Sequence, residues 1–195
     1  MYSGYELIWL FFCTSFLGWL LETVSAATRQ RKFANRGIVN APFCVIYGVA
    51  AVIITVFCQE LYGFWLFAES TILATVIEWI AGHLIEKMYH ERWWDYSKIK
   101  WNLDGYICFP ISLLWGALAY VMMRWGNSLM LDLYHLVPKF VGQIALLILV
   151  GILTADMAAT LIVLSGRSKR IEQWQAVDSW LTGISSNLER KIYGY

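Results

Sequence analysis

The sequence has few charged residues and almost no net charge. Asp, Glu, Lys and Arg make up 15% of its 195 residues, whereas a soluble domain carries about 25%. This deficit excludes an ordinary water-soluble domain and indicates that lipid is the solvent. The formal net charge of +1 excludes a polybasic protein, so we expect no nucleic acid among the partners.

Signatures of familiar catalytic sites are also missing. There is no G-x-x-x-x-G-K-[ST] stretch to hydrolyse a nucleotide and no G-x-S-x-G nucleophile motif. The four cysteines are scattered without a C-x-x-C pair, which favours a role as small buried hydrophobic residues (Cys13, Cys44, Cys58, Cys108). The sequence therefore leaves enzymatic activity open and identifies no cofactor.

Apolar and aromatic residues are abundant, at 59% and 16% of the chain, and the mean hydropathy is +0.54. Several runs approach the length of about 20 residues that crosses a bilayer. They lie near residues 5–28, 41–58, 62–87, 105–123 and 140–164. A spanning backbone must satisfy its own hydrogen bonds, and alternating strand patterns are absent, so each run is predicted to be helical. We predict an all-α polytopic integral membrane protein with about five transmembrane helices.

Lys and Arg are distributed unevenly between the predicted loops. They cluster after the first span, after the third span and in the C-terminal tail, which leaves only Arg124 and Lys139 on the opposite side. The positive-inside rule then predicts that the N-terminus lies outside and the C-terminus in the cytoplasm. The first apolar run contains Glu22, lacks a basic region before it and is long enough to span, so we do not predict a cleaved signal peptide.

The C-terminal tail carries a separate helical pattern. Its apolar residues recur at steps of three and four (Ile171, Trp174, Val177, Leu181, Ile184, Leu188), which is typical of an amphipathic helix. We predict a transmembrane bundle over residues 1–165 and a cytoplasmic amphipathic helix over 166–195. That helix lies on the inner leaflet or forms a dimer contact.

Carboxylates inside the predicted spans are costly in lipid and therefore indicate a functional interior. Glu22, Glu78 and Asp156 lie at similar distances from the cytoplasmic ends of three different spans. We predict that they share a pocket open to the cytoplasm, with Glu86 and Asp95 at its mouth. The alternative is that each acid pairs with an Arg or a Trp N–H and only holds helices together.

Two loops next to these spans have distinctive residues. Asn35-Arg36-Gly37 is followed by Asn40 and Pro42, which favours a turn into the second span, with Asn40 as the cap and Pro42 at the first helical position. Arg36 could meet an acid or an anionic headgroup, or could serve only as a positive-inside residue. In Trp93-Trp94-Asp95-Tyr96-Ser97, the aromatic rings are typical of a membrane interface. Asp95 is typical of a residue whose side chain caps a turn.

His83, Glu86 and His90 share one helical face at spacings that zinc sites use. Lys87 and Arg92 crowd these residues, however, and there is no H-E-x-x-H arrangement. We assign no metal to the chain.

These motifs together resemble the CmpB-like family of putative ABC-transporter type IV membrane proteins. The resemblance rests on Gly18 through Thr23, Asn35-Arg36-Gly37, Pro42, Ile46-Tyr47-Gly48, Glu78, Glu86, Trp93-Trp94-Asp95-Tyr96-Ser97, Asn102, Gly105 and Cys108. It implies a multi-pass bacterial membrane protein with a transport role. Two departures stand out, because Tyr106 and Ala41 replace an expected arginine and glycine. If that arginine neutralises an acid, another residue, such as Arg36, must do so here.

Three functions are compatible with these observations. The first is a transport-type permease whose acidic pocket binds a cation or a protonatable solute. The second is a lipid-binding or lipid-modifying enzyme, with Arg36 on a phosphate and Glu78 or Asp95 as general base. The third is a scaffold or regulatory subunit in which the acids are structural. Five spans enclose little space, so we expect a homo-oligomer or a partner membrane subunit within the lipid bilayer.

Overall fold

The computed structural model describes residues 2–30, 39–163 and 165–166. These residues are helical apart from one short hairpin and the connecting turns, which confirms the prediction of an all-α membrane protein. The chain divides into two units, Met1–Met157 and Ala158–Tyr195. The described residues of the second unit are helical. The predicted C-terminal amphipathic helix and the Asn35-Arg36-Gly37 turn lie outside the described residues.

The first unit is built from consecutive helices, the last of which extends into the second. They are α1 (Gly4–Gln30), α2 (Val45–Cys58), α3 (Gly63–Tyr89), α4 (Phe109–Val121), α5 (Asn127–His135) and α6 (Lys139–Val163). Between α3 and α4, the strands β1 (Asn102–Leu103) and β2 (Ile107–Cys108) form an antiparallel hairpin.

Three segments of these helices are long and apolar enough to cross a membrane: Gly4–Thr28, Gly63–Tyr89 and Lys139–Val163. The 14-residue α2 is shorter. The predicted fourth span has different bounds in the structure. It begins at Phe109 rather than Gly105, and a π-helical turn at Met122–Gly126 joins α4 directly to α5. The helical path from 109 to 135 is therefore long enough to cross the bilayer.

The start of α1 is stabilised by a reciprocal cap that the sequence analysis did not identify. The Ser3 amide donates to Glu6 Oε2 at 2.7 Å, and the Glu6 amide donates to Ser3 Oγ at 3.3 Å. This is a capping box, and its Ser-x-x-Glu signature was available in the sequence.

The predicted start of α2 was wrong. The helix begins at Val45, with Cys44 as its N-cap, and not at Pro42 behind an Asn40 cap. Tertiary hydrogen bonds instead hold the segment before the helix, residues 40–44, in a non-helical conformation. The Cys44 amide donates to the Ser15 carbonyl at 2.9 Å, and Asn40 donates its side-chain amide to Asp156.

Glycines allow close contact between two helix pairs. A Cβ at Gly48 of α2 would lie 2.7 Å from the Phe11 carbonyl oxygen of α1 and would also collide with Ser15. A Cβ at Gly116 of α4 would overlap the Thr71 side chain of α3. Small residues allow such close backbone approach between membrane helices, where lipid supplies little hydrophobic driving force.

Two apolar clusters lie among these helices. One joins Phe12, Tyr134 and Leu146, and the other joins Ile54, Cys58 and Leu66. Near the first cluster, the Trp9 indole donates to the Met130 carbonyl at 2.7 Å and so attaches the beginning of α1 to α5. The loop of residues 90–108 joins the end of α3 to the start of α4.

Candidate functional site

Glu78 is the most deeply buried carboxylate among the described residues. Its side chain projects from α3, and the residue is 9% exposed. Oε1 accepts hydrogen bonds from the Trp115 indole at 2.9 Å and from the Tyr96 hydroxyl at 3.0 Å. Oε2 is buried and has no hydrogen-bond partner among the residues that the structure describes. One oxygen of the carboxylate is therefore doubly satisfied, and the other is available to a proton or a ligand.

Glu22 of α1 belongs to the same cluster of aromatic and acidic side chains. The Tyr47 hydroxyl donates to Glu22 Oε1 at 2.7 Å. The Tyr47 ring packs edge-on against Trp115, with 5.6 Å between ring centroids. Since Trp115 bonds Glu78, the two acids are connected through one tyrosine and one tryptophan. We call Glu22, Tyr47, Glu78, Tyr96 and Trp115 the acidic–aromatic cluster.

The elements that form this cluster come from four helices and one loop. A Cβ at Gly18 would collide with the Tyr47 ring, so the glycine one turn before Glu22 makes the room that lets the Tyr47 hydroxyl reach that acid. Trp115 lies in the second turn of α4. Tyr96 comes from the loop that connects α3 to α4.

The phenol of Tyr96 remains a hydrogen-bond donor at neutral pH. Burial, followed by repulsion from the Glu78 carboxylate and the hydrogen bond to it, raises the pKa of Tyr96 above its ordinary value. Weaker repulsion from Glu22 acts in the same direction. Both acids therefore favour the protonated phenol, which can keep donating to Glu78.

A hydrogen-bonded turn positions Tyr96. The Asp95 carboxylate accepts hydrogen bonds from the Ser97 amide at 2.9 Å and the Ser97 hydroxyl at 3.0 Å. The Tyr96 amide donates to the Gly105 carbonyl at 2.8 Å. The Ser97 bonds, first that from its amide, lower the pKa of Asp95. Asp95 thus caps a turn, which is one of the roles that the sequence predicts for it.

The hairpin turn supports the same loop. Asn102 donates its side-chain amide to the Ile99 carbonyl at 2.6 Å and accepts from the Gly105 amide at 3.1 Å. Gly105 has φ +77, and a Cβ there would lie 2.6 Å from Asp95 Oδ1. The position therefore requires glycine both for its backbone conformation and for space.

A second group of side chains clamps this loop to the end of α3. Arg92 Nε donates to Glu86 Oε2 at 3.0 Å, Nη1 donates to the Asp104 carbonyl at 3.0 Å, and Nη2 donates to the Tyr106 hydroxyl at 3.2 Å. The Tyr106 hydroxyl in turn donates to Glu86. We call Glu86, Arg92 and Tyr106 the loop clamp. The bond to Glu86 raises the pKa of both Arg92 and Tyr106.

The loop clamp includes Tyr106, which stands where the family resemblance leads us to expect an arginine. The arginine expected at that position is absent, but Arg92 pairs with Glu86 from elsewhere in the loop. The Arg92 guanidinium also lies 4.4 Å from the Tyr106 ring centroid. Tyr106 thus combines with Arg92 to satisfy an acid. The alternative partner considered from sequence, Arg36, lies outside the described residues.

The remaining predicted site residues occupy other positions. Asp156 accepts hydrogen bonds from the Asn40 side chain at 2.8 Å and from the Ala41 amide at 2.7 Å. It therefore stabilises the segment before α2, and Pro42 lies in the bend that follows. Of the three acids predicted to share a pocket, the acidic–aromatic cluster contains Glu22 and Glu78.

Aromatic residues fill the space around the loop. Trp94 donates its indole N–H to the Tyr106 carbonyl at 2.9 Å, and Trp93 packs near Tyr89 at 5.2 Å between ring centroids. His83 stacks on Tyr106 at 3.8 Å. Among the residues that the structure describes, no three His, Cys, Asp or Glu side chains are grouped as a metal site.

Trp115 and Arg92 were not selected by the sequence analysis. An indole within an apolar helix needs an acceptor when it is buried, and that requirement was a usable signal for Trp115. Arg92 was treated only as a residue that crowds a metal site, because its partners are distant in sequence and come together only through the hairpin.

Comparison with known proteins supplies one match. The model of the family described as "Putative ABC-transporter type IV" matches residues 9–161. No curated protein is significantly similar to the chain, and no solved structure is either. The matched region contains most of α1, all of α2 through α5, nearly all of α6 and the whole acidic–aromatic cluster. The chain belongs to the putative ABC-transporter type IV family, and the resemblance seen in its motifs is confirmed.

Proposed function

We propose that this membrane protein of a transporter-type family uses the acidic–aromatic cluster to bind a cation or a small protonatable solute. One observation carries the proposal: Glu78 is buried, and within the described part of the chain its Oε2 has no hydrogen-bond partner. An unsatisfied carboxylate oxygen in a low-dielectric site is costly. A proton or a positively charged group on that oxygen removes the cost.

The surroundings of the two acids support this role. The ion pairs among the described residues are Arg92–Glu86 and His135–Glu6, so neither Glu22 nor Glu78 has a basic partner there. Their known partners are neutral O–H and N–H donors. Neutral donors orient a carboxylate without cancelling its charge, which leaves it able to attract a cation. Buried carboxylates can also take up and release protons near neutral pH, which would couple binding to a proton gradient.

The position of the cluster supports access from one side of the membrane. Tyr47 and Trp115 lie near the starts of α2 and α4, and Glu22 lies near the end of α1. These helix ends adjoin the loops that are rich in Lys and Arg. We therefore propose that the cluster lies in the inner half of the bacterial inner membrane, with the N-terminus outside and the C-terminus cytoplasmic.

The partners are part of the same proposal. Only 6% of the most apolar stretch of α6 is buried. The uncovered surface is available to lipid, to a second copy of the chain or to a partner subunit, and a small bundle needs one of the last two to enclose a pathway.

Infrared spectroscopy of the purified protein tests the proton-binding step directly. A pH titration should show a protonated-carboxyl band that disappears in Glu78→Gln. The matched control is Glu69→Gln, which changes an exposed acid on the same helix. A spectrum that does not change in Glu78→Gln, with the protein still folded, would contradict the proposal.

Transport is tested separately in vesicles loaded with a pH-sensitive dye. An imposed membrane potential should drive proton movement with wild type and Glu69→Gln, but not with Glu78→Gln. If the infrared band depends on Glu78 while the flux does not, the cluster binds a proton without transporting it. That result would reject the transport part of the proposal.

A further inference from the structure

After Tyr96, the loop and the first hairpin strand expose several large apolar side chains beside two lysines. We call residues 98–103 the loop tip. Trp101 is 76% exposed and Leu103 is 54% exposed, and Lys98 and Lys100 are exposed as well. Apolar and cationic residues thus alternate along the loop tip.

The backbone of Trp101 adopts a conformation that is unfavourable for this residue type. Its φ is +61, in the left-handed region that bulky side chains rarely occupy. Its carbonyl accepts the Phe109 amide at 3.1 Å, and the next residue, Asn102, is held by its own side-chain bonds. The surroundings therefore maintain a strained backbone that leaves a large indole exposed. Such strain is a recognised pointer to function.

The loop tip lies beside the start of the apolar helix α4. The bond from the Phe109 amide joins Trp101 to the first residue of α4. Phe109 is itself exposed, and its ring lies 6.0 Å from that of Trp101. The apolar sequence of α4 predicts that this helix enters the bilayer near Phe109, which would put the Trp101 ring at the boundary between headgroups and acyl chains, where indole rings are favoured.

We propose that the loop tip is a binding surface for anionic phospholipid headgroups, with Lys98 and Lys100 on the headgroup charge and Trp101 and Leu103 among the upper acyl chains. Charge complementarity selects this occupant. The two lysines have no acidic partner in the ion pairs of the described residues, whereas the neighbouring Arg92 is fully engaged by the loop clamp. Basic residues next to a membrane bind acidic lipid in proportion to their number.

Native mass spectrometry of the full chain in mixed micelles of phosphatidylglycerol and phosphatidylcholine tests this surface. We expect wild type to retain phosphatidylglycerol preferentially. Lys98→Gln combined with Lys100→Gln should lower that preference by about fivefold for each lysine removed. The matched control is Lys139→Gln, which changes an exposed lysine at the start of α6 and should leave the preference unchanged.

Two further variants separate lipid binding from folding. Lys98→Arg with Lys100→Arg keeps the charges and should keep the preference. Trp101→Gly relieves the left-handed strain, so it should retain the fold while weakening lipid retention.

Several results would overturn the proposal. Unchanged retention in the double Gln variant would assign the lysines to another partner, such as an acidic protein segment. An equal loss in Lys139→Gln or in the double Arg variant would show a general charge or structural effect. Unchanged retention in Trp101→Gly would also count against it, as would unfolding of that variant, since the ring would then serve the fold.

Discussion

The Tyr96 hydroxyl donates a 3.0 Å hydrogen bond to Glu78 Oε1. This bond joins the loop between α3 and α4 to a carboxylate inside the helical bundle. The loop is also attached to α3 by the pairing of Arg92 with Glu86. The connection between helices thus reaches the candidate site and is not merely a linker.

Removal of the Tyr96 hydroxyl should loosen the loop. Tyr96→Phe loses the hydrogen bond to the buried Glu78 carboxyl group, and such a bond contributes about 1.5–3 kcal/mol when its acceptor is ionised. Cys108, which ends the hairpin and is buried, should become more reactive. The measurement is maleimide labelling of Cys108 followed by peptide mass spectrometry. Cys58, buried in the second apolar cluster, is the internal control, and an equal rise at both cysteines would instead indicate general unfolding.

The turn at Asp95 should weaken in acid. The folded loop lowers the pKa of Asp95 below its ordinary value of 3.8. A lowered pKa contributes stability above the unfolded-state pKa, and that contribution is lost as the pH falls through the folded-state pKa. Hydrogen exchange in a peptide covering residues 95–103 should therefore increase, after correction for intrinsic rates, below about pH 4. Asp95→Asn should abolish this pH dependence, and a variant with the wild-type profile would assign it to another group.

Contact between α1 and α2 should require glycine at position 48. An alanine there would press its Cβ against the Phe11 carbonyl and the Ser15 hydroxyl. Overpacking of this kind costs about 1–3 kcal/mol, so Gly48→Ala should lower the apparent melting temperature in detergent. The control is Gly151→Ala in α6, because a Cβ there meets nothing within 4 Å. A similar loss in both variants would contradict the packing explanation.

Asp156 should act in stability and not in proton binding. Asp156→Ala removes the acceptor for the Asn40 side chain and the Ala41 amide, at a cost of about 1 kcal/mol. The melting temperature should fall while the infrared band that depends on Glu78 remains. Asp132→Asn changes another acid of the unit and serves as the control. Loss of that band in Asp156→Ala would show that Asp156 takes part in proton binding.

Hydropathy, charge placement and local motifs were sufficient to predict much of this protein. The helical membrane class followed from long apolar runs, since lipid leaves a spanning backbone no other partners. The family followed from short motifs such as Gly18 through Thr23. The importance of Glu22 and Glu78 followed from the cost of a carboxylate in lipid. These properties depend on composition and neighbouring residues, which the sequence contains directly.

Contacts between distant residues required the tertiary structure. Asp156 and Glu78 look alike in sequence, yet one caps the segment before α2 and the other bonds Trp115 and Tyr96. The start of α2 moved from Pro42 to Val45 because side-chain and backbone acceptors on α1 and α6 hold the intervening residues. The π-helical turn that joins α4 to α5 has no local signature. The sequence by itself determined that the protein lies in lipid and which carboxylates are costly there. Tertiary packing decided which hydrogen-bond partners satisfy those carboxylates, because hydrogen bonds across helices depend on distances that no local pattern encodes.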